Sequence, residues 1–125
     1  MTIAALAYIS DMMQSLSIPY AFPRWDSLPP DDYYFTGEYI ESTSQTLEEN
    51  GFQETTFILR GYTRQAWLLL EQAKAKIEAT ASKTAILSDG TGIAVSYDSG
   101  TIVPTGDAEL KSIKINLNIK EWKVN

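Results

Sequence analysis

The chain contains neither histidine nor cysteine. Disulfides, thiolate or imidazole metal sites, cysteine nucleophiles and every triad with a histidine base are therefore excluded. Chemistry would fall to carboxylates, lysine, tyrosine or serine. The best carboxylate set is Asp98, Asp107 and Glu109, in the stretch DSGTIVPTGDAEL. A glycosidase needs two such groups held across a sugar cleft, and a hard cation needs several oxygens converging on one ion. The stretch lacks the regular D-x-D-x-D-G spacing of a calcium loop, and its Asp, Gly and Pro residues are those that set tight bends. Turn formation is the expectation here. Glu38 beside Tyr33, Tyr34 and Tyr39 offers a sugar or peptide platform, against the plainer reading of aromatics packed across strands. Gly90-Thr91-Gly92 leads into a strand and not a helix, so it reads as a hairpin, not a phosphate cradle. Ser82-Lys83 carries too little signal to use. No catalytic group, metal or cofactor is assigned, and the chain is not expected to be an enzyme.

The elements that would position these residues are clearer than the chemistry. Ile113, Ile115, Leu117 and Ile119 alternate with Lys114, Asn116, Asn118 and Lys120. A period of two puts one set on a buried sheet face and the other in water. This last strand is expected over 110–124, with a bulge near Lys120-Glu121 where the apolar parity shifts to Trp122 and Val124. Residues 2–16 read as an amphipathic helix capped by Thr2, with Met12 and Met13 as core filler. Residues 19–30 hold four of the five prolines and are expected to be extended, pinned to the body by Phe22 and Trp25. Strands are expected over 32–41 and 52–62, joined as a hairpin by a long acidic connection with Glu48 and Glu49 near its tip. A second helix is expected over 63–80, with Thr63 as N-cap and Ala66, Leu70, Ala73 and Ile77 facing the core. Two short strands, 84–88 and 92–97, meet at Asp89-Gly90, and 98–108 is read as a loop. The predicted order is α-β-β-α-β-β-β. This gives an α+β fold: one twisted, mostly antiparallel sheet with two helices packed on one face, in a single domain over 1–125.

Composition bounds the function. A hydrophobic content of 44% is that of a globular chain. No apolar run approaches the ~18 residues of a membrane span. The first residues lack the basic cluster of a secretory signal, and the lack of cysteine fits a cytosolic folding compartment. The net charge of −6 argues against gripping nucleic acid by its phosphates. Residues 1–60 carry −7 and residues 61–125 carry +1. This asymmetry reads either as solvated faces that differ or as an acidic half meeting a basic half between copies.

Three blocks, YYFTGEYIE (33–41), GFQETTFILRGYTR (51–64) and PTGDAELKSIKINLNIKEW (104–122), resemble the tail-terminator, or tail-completion, proteins of long-tailed bacteriophages and prophages. The resemblance implies a small α+β domain without enzymatic activity that assembles into a six-fold ring. Such a ring caps the tail-tube protein, halts its polymerisation and meets the head-completion or connector protein. DNA passes through the channel without specific binding. The implied location is the virion tail or neck, with assembly in the host bacterial cytoplasm and no membrane involvement. The candidate interface or lumen residues are Glu48, Glu49, Glu54, Asp98 and Asp107. Within the same particle, the alternatives are a head–tail adaptor or a tail-tube subunit. Outside it, the alternatives are a small sugar- or peptide-binding module built on the tyrosine-rich strand and a small carboxylate enzyme.

Overall fold

The computed structural model describes residues 1–41 and 52–123. Helix α1 spans Ile3–Ser15. Thr2 caps it, its hydroxyl accepting the Ala5 N–H at 3.1 Å, which satisfies one of the orphan donors of the first turn. Ala5, Ile9, Met12 and Met13 recur at helical spacing and are buried, so both methionines fill the core. The helix ends where Ser17 turns left-handed, with φ 57°. The N–H of Ile18 then reaches back to the Met13 carbonyl at 3.0 Å, closing the last turn.

The strands are β1 (Tyr20–Ala21), β2 (Tyr34–Glu41), β3 (Gln53–Thr63), β4 (Lys83–Ile86), β5 (Thr91–Val103) and β6 (Lys111–Lys123), with helix α2 (Trp67–Thr80) between β3 and β4. They form one sheet in the order β1-β2-β3-β6-β5-β4. Only β1 and β2 run parallel; the other neighbours are antiparallel. The fold is α+β, as the alternating patterns predict. The tight turn between β4 and β5 sits at Asp89-Gly90, where Gly90 takes φ 87°, a conformation that glycine enters without a Cβ penalty.

Both helices cover one face of the sheet. Leu70, Ala73 and Ile77 of α2 join the buried face of α1, and the sheet contributes Phe35, Phe57, Leu59, Ile93, Val95 and the odd-numbered Ile113, Ile115, Leu117 and Ile119. Burying one such side chain is worth about 1.5–3 kcal/mol, so this layer holds the domain together. Gly61 sits opposite Phe35, and a Cβ on it would stand 2.5 Å from the tip of the Phe35 ring. The glycine thus makes room for the aromatic at the centre of the core. Phe22 stacks on Tyr39 and Phe57, and the Trp25 indole N–H donates to the Phe35 carbonyl at 3.1 Å. These two residues pin the proline-rich segment, as expected.

Four boundaries differ from the sequence expectation. The proline-rich segment contains β1, so the order is α-β-β-β-α-β-β-β. Pro19 lacks an N–H, yet its carbonyl accepts the Phe35 N–H at 2.8 Å, and a short strand follows between prolines. Residues 98–103 are not loop: β5 continues to Val103, with a register shift between Tyr97 and Ser99 that leaves Asp98 as a bulge. The bulge is therefore on β5 and not at Lys120-Glu121. β6 runs unbroken, placing Glu121 on the helix side and Trp122 over Gly92 on the other. Glu121 is buried, and its Oε2 accepts the Thr2 N–H at 3.4 Å, at the helix end that favours negative charge. Thr63 closes β3 and does not cap α2. Its hydroxyl donates to the Asp32 carbonyl at 2.6 Å and accepts the Gln65 N–H at 3.0 Å, while α2 starts after Ala66 with no side-chain cap.

Candidate functional site

The carboxylates singled out by sequence do not converge. Asp98 is exposed on the β5 bulge. Asp107 lies beyond the end of the strand, about 16 Å farther along at ~3.3 Å per residue for the five residues to Val103. Asp107 accepts the Glu109 N–H at 3.0 Å and Arg64 Nη1 at 2.9 Å. These bonds, the backbone one first, hold its carboxyl below the usual carboxylate range by favouring the charged form. Asp107 thus organises its own turn and ties it to the start of α2. Glu109 is exposed. Glu54 lies on β3 opposite Lys120, accepting Asn118 Nδ2 at 3.0 Å. Glu48 and Glu49 fall outside the described residues. Among the described residues no three acidic side chains gather to hold a metal ion, and no helix is long and apolar enough to cross a membrane.

Glu38 is separated from most of the tyrosines near it in sequence. β-strand alternation sends it to the helix-free face, where it pairs with Arg60 at 2.5 Å, while Phe35, Gly37 and Tyr39 take the helix side. Tyr34 alone shares the face of Glu38. Its ring stacks on Tyr62 at 5.3 Å and meets Trp25 edge-on at 6.3 Å. The pair borders a hollow of about 210 Å³ that is also lined by Leu28, Pro29, Arg64 and Leu110. Burial raises the Tyr62 phenol above its ordinary pKa. The sequence named Tyr34 but not its partner Tyr62, which lies 28 residues away and meets it only through strand pairing.

Among the described residues, the acidic and basic halves of the sequence do not form two opposed patches. The basic strand β6 inserts beside β3 in the middle of the sheet. Lys114 and Lys120 therefore share the helix-free face with Glu38, Glu54 and Arg60. The charge asymmetry along the chain is interleaved in space.

The margins of the sheet carry the feature that sequence reading missed. β1 pairs with only Phe35 and Thr36 of β2, so β2 past Gly37 has no strand on its outer side among the described residues. At the other margin β4 pairs only with Gly92–Val95. The upper half of β5, Asp98–Val103, is open in the same way, and β4 itself is an edge. Isoleucines mark these margins: Ile40 is 63% exposed, Ile86 64% and Ile102 65%. Unpaired strand edges with exposed apolar side chains are templates for pairing with another chain. Alternation alone would have put Ile40 and Ile86 on a sheet face, but whether that face lay at a margin depended on strand order.

In comparisons with known proteins, no family model matches the chain and no curated protein matches it.

Proposed function

We propose that this chain is a structural subunit that acts by fitting against copies of itself, in the role of a phage tail terminator. In this role a ring of copies caps the tail tube and joins it to the head connector in the virion. The observation that carries the reading is the pair of open, isoleucine-bearing margins on opposite sides of one sheet. Two different patches on one chain make a heterologous contact, and a heterologous contact closes into a ring when its rotation allows. The resemblance of residues 33–41, 51–64 and 104–122 to tail-terminator proteins supplies the biological role.

Solution mass across a concentration series, followed by electron microscopy of what assembles on purified tail tubes, tests this. A closed ring that ends the tube is expected. Long filaments of this chain alone would replace the reading with that of a tube subunit. The stacked Tyr34–Tyr62 pair beside its hollow favours a second reading, a module for sugars or peptides, in which the chain stays monomeric and binds glycan or peptide saturably.

A further inference from the structure

The two margins of the sheet are stepped, and the steps meet at two levels. Row by row, β1 stands beside β2 only at the upper end, at the level of Ile102 and Thr101 of β5. This follows from the pairings Tyr20–Phe35, Phe35–Gly61, Gly61–Ile113 and Ile113–Ile102. β4 stands beside β5 only at the lower end, starting at the level of Glu41. This follows from Glu41–Thr55, Thr55–Ile119, Ile119–Val95 and Val95–Lys83. Each margin thus has a tab and a notch. The β1 tab lies at the height of the notch on upper β5, and the first residue of β4, Lys83, lies at the height of Glu41, the last described residue of the β2 notch.

We propose that copies of this chain join head to tail through these margins. The β1 tab of one copy fills the notch above β4 on its neighbour, and the neighbour's β4 enters the notch below β1 at Lys83, beside Glu41. This deepens, and rests on, the self-association reading above. The occupant of each notch is a second copy because strand direction, hydrogen-bond phase, side-chain face and charge all agree.

Direction comes first. With both copies the same way up, β1 meets β5 antiparallel and β4 meets β2 parallel. Phase follows from the bonds already made. Successive residues of a strand aim their N–H and C=O to opposite sides. The Phe35 N–H to Pro19 carbonyl bond directs Pro19 inward and Tyr20 outward. On upper β5, the residues paired with the even-numbered positions of β6 turn inward, so Ile102 turns outward. Tyr20 and Ile102 are therefore in phase for an antiparallel bridge. On β2, Phe35 aims toward the β1 side, so Tyr39 and Glu41 aim there too. On β4, the Leu87 N–H to Thr91 carbonyl bond sets Lys83 and Ala85 toward β5 and Thr84 outward. A parallel bridge joins a residue aimed at its neighbour to one aimed away, the pattern of Phe35 with Tyr20 in this sheet, and Glu41 with Lys83 repeats it. No vertical shift separates the two bridges. Both put their side chains on the helix side. Lys83 has no ion-pair partner among the described residues, and Glu41, which meets the Met1 amine, has acceptor capacity left. The opposed charges coincide with the bridge that strand phase selects.

The chain has no native cysteine, which makes the test clean. Lys83→Cys protein and Glu41→Cys protein are prepared separately, then mixed and treated with a short bifunctional maleimide. Crosslinked dimers are expected in the mixture and not in either protein alone, because a head-to-tail contact brings unlike positions together. Lys83→Glu should weaken assembly by roughly tenfold or more, and adding Glu41→Lys should restore it. Leu68→Lys, on the surface of α2 that faces away from the sheet, should leave assembly unchanged. Assembly that proceeds without the mixed crosslink, or that ignores Lys83→Glu, overturns these margins as the contact while leaving self-association standing. A wild-type chain that is monomeric at every concentration and gives no mixed crosslink overturns both.

Discussion

The middle of the sheet and its margins use the same residue types for opposite ends. β3 and β6 pair without a break from Gln53–Glu121 to Thr63–Lys111. The isoleucines of β6 that face the helices, Ile113, Ile115 and Ile119, are at most 1% exposed. At the margins, β1 has two residues and β4 four, and Ile40, Ile86 and Ile102 stand mostly in solvent. An isoleucine in the middle stabilises the monomer. One at the margin leaves apolar surface unburied until something else covers it. On the proposed assembly, the contrast would separate folding from association by position in a single sheet.

Substitutions in the two regions should separate in the same way. The largest effect is expected from Leu117→Ala, which empties a fully buried site between β3 and β5. It should cost about 2–5 kcal/mol of unfolding free energy, measured by urea titration, and a cost below about 1 kcal/mol would show that the middle is not where stability is concentrated. Gly61→Ala comes next. Its methyl would press on the buried Phe35 ring, with an expected loss of about 1–3 kcal/mol, and Phe35→Leu in the same chain should recover part of it.

Tyr20→Phe sharpens the comparison at the margin. The Tyr20 hydroxyl is buried without a hydrogen-bond partner among the described residues, and burial raises its pKa well above the ordinary 10.0. A raised folded-state pKa contributes stability that is complete below the unfolded value and is lost as pH rises through the folded one. Tyr20→Phe should therefore stay within about 1 kcal/mol of wild type near pH 7. Above about pH 10 it should keep stability that wild type loses through this group. Paired urea curves at the two pH values decide it. The smallest effect is expected for Ile86→Lys, within about 0.5 kcal/mol of wild type in monomer stability, because its side chain is already in water. A large loss there would mean that β4 belongs to the core.

Much of the middle was legible in the sequence. The alternation over 113–119 and the Asp89-Gly90 turn each follow a local rule, and each lies where that rule puts it; helix α1 lies where expected, with Ile9 and Met13 inward and Ile3 in solvent. The margins were not legible because strand order is a long-range property. The two-residue β1 leaves no periodic trace among prolines. The bulge was misplaced because apolar parity breaks at the wrong strand. Glu121 points in to meet the start of α1, and Trp122 points out to cover Gly92, so β6 looks irregular while Asp98 on β5 carries the irregularity. The candidate site was less legible still. Of the carboxylate set, Asp107 and Glu109 form a turn as expected while Asp98 is a bulge inside β5, and the stacking of Tyr34 on Tyr62 and the stepped margins needed residues brought together from opposite ends of strands.

The position of β6 sets an order of events during synthesis. Its two flanking strands, β3 and β5, both precede it along the chain, so neither has a shared neighbour until residues 111–123 have left the ribosome. Before then the nascent chain carries two separate strand pairs, β2–β3 and β4–β5, each with a long edge open where β6 will lie, which is the stage at which chaperones would be most needed. Closure of the two pairs into one sheet must wait for that late segment.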